Sequence, residues 1–166
     1  MPDRRLATAA APLVLLGALG WGAPVVADEE WTRSMASART ALLGGELGEA
    51  RRWIDAASRR SQNFGDADWR RADTLEIAGA LAIARGELAT ASKVLAEAAD
   101  AYTALFGDDS APLVLNGVER GRVALADGDI DRAEKSFNAA IVLAKSLPTG
   151  GGRGVAGAHL GLADIA

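Results

Sequence analysis

The sequence predicts an all-α protein built of helix hairpins stacked one after another, and three observations carry that reading. The first is composition: alanine fills 37 of 166 positions, aromatic residues make up 5%, and there is no cysteine. Alanine is the strongest helix former, and the β-branched and aromatic residues that fill sheets are sparse. The second is a recurring triplet of glycine, an acidic residue and a large aliphatic one. It stands at Gly45-Glu46-Leu47, Gly86-Glu87-Leu88 and Gly128-Asp129-Ile130, with spacings of 41 and 42 residues. The third is a set of columns in register with those glycines. Five residues on stand Ala50, Ala91 and Ala133; nine on, Ile54, Leu95 and Phe137; twelve on, Ala57, Ala98 and Ala140. Four residues back stand Ala41, Ala82 and Ala124, and seven back the residue is again small: Ala38, Gly79 and Gly121.

Before the first repeat lies a segment of another kind. Arg4 and Arg5 precede a stretch without charge from Leu6 to Ala27, with the apolar centre Pro12-Leu13-Val14-Leu15-Leu16 and the close Val25-Val26-Ala27. A charged start, an apolar centre and small residues before an acidic run describe a secretory signal peptide, residues 1–27, cut after Ala27. The alternative is an uncleaved N-terminal anchor, which makes that segment the chain's only expected membrane contact. Two prolines and three glycines make it a poor spanning helix. Arginine outnumbers lysine 15 to 3, the bias of a GC-rich bacterial genome, so the expected destination is periplasmic or secreted. An anchored chain would face the periplasm.

Residues 28–166 then divide into repeats at about 29–66, 70–108 and 112–149, with a partial fourth at 152–166. Each repeat reads as two helices. Helix A is expected at 29–44, 70–85 and 112–127, and helix B at 47–63, 88–105 and 130–146. The glycine between them suits a helix end that needs positive φ, and the acidic residue after it favours the start of the next helix. Small residues let two antiparallel helices approach closely, and the large residue nine past the glycine fills the gap against the neighbouring repeat. Phe64-Gly65-Asp66 and Phe106-Gly107-Asp108 lie 42 apart, one more than the glycine spacing of the same units, so the second helix B is expected to hold one extra residue. The last helix, expected at 155–166, is half a repeat with no helix B to cover it. A solenoid needs a polar terminal cap, so either the array continues or this apolar half-repeat docks on something, self-association with another copy included.

These residues resemble the tetratricopeptide repeat. The second unit reads Leu75-x2-Ala78-Gly79-x2-Ala82, then Ala91-x3-Leu95-x2-Ala98; the third reads Gly117-x2-Arg120-Gly121-x2-Ala124, then Ala133-x3-Phe137-x2-Ala140. Leu160-Gly161 looks like the family's Leu-Gly pair in the partial fourth unit. The family's usual Trp, Tyr and terminal Pro are absent from their motif positions, and the period exceeds the usual length of about 34. The longer period, with Phe-Gly-Asp-Asp-Ser-Ala-Pro at 106–112, looks like the kinesin-light-chain-like variety. The first unit, with Ser34 and Ser37 at usually apolar positions, matches least well. The resemblance implies a right-handed α-solenoid of about three repeats plus a partial fourth. It also implies protein or peptide binding, without catalysis, in a concave groove lined by the A helices. Carried over position by position, the groove residues are Met35, Arg39, Glu76, Ala80, Val118 and Arg122, with Asn116 and Glu119 at its edge. The Lys/Asn set by which some members hold a C-terminal carboxylate is not present there. Arg39 and Arg122 beside Glu76 and Glu119 favour a partner segment of mixed charge.

Chemistry of other kinds finds little support. Without cysteine there is no thiol nucleophile and no Cys-based zinc site, and any His-dependent catalysis would hang on His159 alone. A net charge of −4 argues against a nucleic-acid partner bound by phosphate neutralisation. Gly152-Arg153-Gly154-Val155-Ala156-Gly157 matches a dinucleotide-binding pattern, but a helix precedes it where a strand is required, and it is expected to be an inter-repeat loop. Asp127, Asp129 and Asp131 mimic calcium-loop spacing, yet Arg132 and Asn138 stand where glycine and a bidentate glutamate belong. Arg51, Arg52, Arg59, Arg60, Arg70 and Arg71 are interleaved with Glu49, Asp55 and Asp66, as on a solvated face. No cofactor, metal or catalytic residue is expected. The leading expectation is a non-catalytic interaction scaffold of the cell envelope; the alternative is a regulatory or substrate-recruiting arm of a longer enzyme.

Overall fold

A computed structural model describes residues 28–65, 67–148 and 152–165; the proposed signal segment, residues 1–27, lies outside them. All regular structure among the described residues is helical. The A helices are α1 (Glu29–Leu43), α3 (Trp69–Ala84) and α5 (Ala111–Ala126), and the B helices are α2 (Leu47–Ser61), α4 (Leu88–Phe106) and α6 (Ile130–Ser146). A seventh helix, α7, runs from Gly152 to Ala163.

The three A-to-B turns share one geometry, which is why the triplet recurs. Gly45, Gly86 and Gly128 have φ of 73°, 72° and 80°, in the left-handed region open to glycine. The N–H groups of Glu46, Glu87 and Asp129 donate to the carbonyls of Ala41, Ala82 and Ala124 at 2.8, 2.8 and 2.9 Å. The glycine N–H groups donate to the carbonyls of Leu42, Ile83 and Leu125 at 3.1, 2.9 and 3.1 Å. This is a Schellman closure made three times, and it satisfies carbonyls that a helix end leaves without partners. Of the acidic residues that follow, Asp129 caps the next helix by accepting from the Arg132 N–H at 3.0 Å, whereas Glu46 and Glu87 make no side-chain cap.

Consecutive helices pack as neighbours throughout. The alanines of the repeat columns are buried, and so are Ile54, Leu95 and Phe137. The pairing of small with large is direct: a Cβ added at Gly79 would lie 2.5 Å from Leu95 Cδ2, and one at Gly121 would lie 2.5 Å from Phe137 Cε1. Each glycine is therefore the seat of the large side chain from its own helix B. Contacts also reach to the second neighbour, and only on one side. α1 touches α3, α3 touches α5, and α5 touches α7, while α2, α4 and α6 make no such contact with one another among the described residues.

Three expectations need correction. α2 stops at Ser61 rather than 63, because Phe64 leaves the helix to pack edge-on against Trp31, with the Arg70 guanidinium 3.6 Å from its ring centre. α4 has 19 residues against 15 in α2, so the difference between the two B helices is larger than the single residue expected. Gly152–Gly157 is not a loop but the first turns of α7. Two of its three glycines are contact points: a Cβ at Gly154 would strike Val114 Cγ1, and one at Gly157 would lie 3.1 Å from Val118 Cγ1. Close approach to α5 outweighs the helix penalty of glycine, about 1 kcal/mol per residue.

Candidate functional site on the helix A face

The A helices leave three hollows along their shared side. The first, between α1 and α3, has a volume of about 440 Å³ and a floor that includes Trp31 and Met35. The second, between α3 and α5 beside the end of α4, has about 720 Å³; the third, between α5 and α7, has about 680 Å³. Arg39, Trp69 and Asp73 line both the first and second hollows, and Leu115 lines both the second and third. The three lie in a row with shared walls, a trough along the A helices.

Helix starts and polar bonds position its walls. Asp68 caps α3 through the Arg70 N–H at 2.9 Å and grips the Arg70 guanidinium by both oxygens. That hydrogen bonding holds the Asp68 carboxyl below its ordinary pKa. Trp31 is fixed by its indole N–H, which donates to Thr74 Oγ1 at 2.9 Å, and Trp69 meets its ring edge-on at 5.3 Å. In the central hollow Arg39 of α1 reaches across to Asp73 of α3 at 2.6 Å. The Asn116 amide ties three helices together, donating to Glu76 Oε2 at 2.7 Å and to the Leu95 carbonyl at 2.9 Å. Glu76 Oε1 is buried and meets no donor among the described residues. Burial pushes the Glu76 carboxyl up to about 7, against the lowering effect of the Asn116 bond and helped by the negative charges of Glu119 and Asp73. Burial likewise raises the Tyr102 phenol.

The expected groove residues fall into distinct places. Arg39, Glu76, Glu119 and Arg122 line the trough, and Arg122 pairs with Glu119 at 3.3 Å. Met35 and Val118 are buried side chains of its floor, and Asn116 is buried beneath it. Ala80 is half-buried and lines none of the three hollows. Sequence reasoning did not reach Trp69, Asp73, Tyr102, Phe106 or Leu115. Tyr102 and Phe106 sit at the end of a helix B, so transferring helix A positions could not find them. Asp73 had a signal, standing three residues before Glu76 on the same helix face.

The other motifs are occupied by structure. Asp127 and Asp129 both approach Arg132, at 3.4 and 3.5 Å. Arg51, Arg52, Arg60 and Arg70 each meet a carboxylate. His159 is exposed on α7. No family model, curated protein or solved structure matches the chain.

Proposed function

We propose that the chain is a tetratricopeptide-like, right-handed α-solenoid that serves as a non-catalytic protein-interaction scaffold of the cell envelope. It holds a partner segment in the trough of its A helices. The observation that carries this reading is the row of three hollows that share wall residues along the A helices, a surface on which an extended segment can lie. The one-sided second-neighbour contacts support it too. Helices that meet on the A side and spread on the B side give a curved stack with the A helices inside. Export is supported by the sequence of residues 1–27, and no described helix is long and apolar enough to cross a membrane.

Charge reversal in the trough tests this reading. Arg39→Glu with Arg122→Glu places two acids beside Asp73 and Glu119. The double variant is expected to lose capture of the protein that crosslinks to the wild-type chain in the envelope. Undiminished capture by a variant of unchanged helicity would contradict the assignment.

A further inference from the structure

We propose that the hollow between α3 and α5 receives a cationic side chain, an ammonium or guanidinium group, from the segment held in the trough. This rests on the trough reading and adds the chemistry of the partner. Two kinds of group that attract cations meet there. Trp69 and Phe106 are 46% and 50% exposed at the hollow, and Phe106 stacks on Tyr102 with ring centres 6.5 Å apart. Aromatic faces draw cations by their quadrupole, more strongly where water is excluded. Asp73 and Glu76 line the same space, and Asp73 already holds one guanidinium, that of Arg39.

The charge census favours one more cation over any other occupant. Glu76 faces Asp73 on its own helix, Arg39 from α1, Tyr102 from α4, and Asn116 and Glu119 from α5. Arg39 is engaged by Asp73 and Arg122 by Glu119, and among the described residues no cation pairs with the Glu76 carboxylate. Its Oε1 lacks a donor, an expensive condition for a buried oxygen. An anion in the hollow would be repelled by Asp73 and Glu76 and a neutral group would gain nothing from their charge, whereas a cation is attracted by both and steadies the buried Glu76 carboxylate through the field it adds. A proton competes for the same carboxylate, so binding should strengthen as pH rises through 7.

The test uses the full chain and five-residue peptides, acetylated and amidated, with a central lysine, arginine, norleucine or glutamate among alanines. Binding is followed by the Trp69 indole N–H resonance at pH 6 and pH 8. The lysine and arginine peptides are expected to shift that resonance and to bind about tenfold more tightly at pH 8. Glu76→Gln retains an acceptor for Asn116 and is expected to abolish the pH dependence and weaken binding. Phe106→Ala, at an exposed site, is expected to weaken it about 3- to 10-fold. Equal binding of the norleucine and lysine peptides, or an unchanged pH profile in Glu76→Gln, would overturn the cation assignment. If the norleucine or glutamate peptide alone shifts the Trp69 resonance, the trough stands and its cationic occupant does not. If no peptide perturbs any trough residue, both readings fail.

Discussion

A methyl group added at Gly121 would stand 2.5 Å from Cε1 and 2.6 Å from Cδ1 of Phe137, closer than packed carbons approach. Phe137 is fully buried, with no room to swing away, so Gly121→Ala is expected to destabilise the fold by about 1–3 kcal/mol, read from the urea midpoint. Gly48, also helical, has nothing within 4 Å of an added Cβ. There alanine removes only a helix penalty, and Gly48→Ala is expected to stabilise by about 0.5–1 kcal/mol. Equal effects at the two sites would mean that packing against Phe137 is not what selects glycine. The buried Glu76 carboxyl couples stability to pH. Its folded pKa of about 7 lies above the ordinary 4.5, so its stabilising contribution is fully present below pH 4.5 and is lost as pH rises through 7. The full swing is about 3 kcal/mol. Glu76→Gln should flatten stability between pH 5 and 8 and raise it at the upper end; a wild-type pH profile in the variant would show that burial does not raise this carboxyl.

α7 is an element defined by what its glycines permit. A Cβ at Gly154 would strike Val114, and one at Gly161 would strike the ring of Phe137, so the helix lies on α5 and α6 with little between the backbones. Gly154→Val should lift α7 from this seat. Amide exchange across 152–163 is expected to rise sharply while α1 to α4, which make no contact with α7, keep their protection. Protection retained in α7 would contradict the packing account. Helix identity was legible in the sequence because Gly45, Gly86 and Gly128 set the same Schellman turn and fix the register of each pair. The start of α7 was not, because glycine is read locally as a breaker while its reason here lies in Val114 and Val118, some 40 residues earlier. The early end of α2 was hidden for the same cause, since Phe64 is drawn out of the helix by Trp31 and Arg70.

Across the described residues the charged walls of the trough were legible in the sequence, and its aromatic walls were not. Arg39, Glu76, Glu119 and Arg122 occupy regular helix A positions that a repeat register can transfer. Trp69, Tyr102 and Phe106 come from a helix start and from the last turns of α4, places where repeats differ in length and register carries nothing across. On the proposed function, this trough rather than the B-helix side meets the partner. Photo-crosslinking from single sites separates the two faces, with benzoylphenylalanine placed at Leu115, 45% exposed on the wall shared by two hollows, and at Val142, 69% exposed on α6. In cells expressing the full chain, position 115 is expected to yield a discrete crosslinked product and position 142 none; a product from 142 alone, or the same product from both, would contradict binding in the trough.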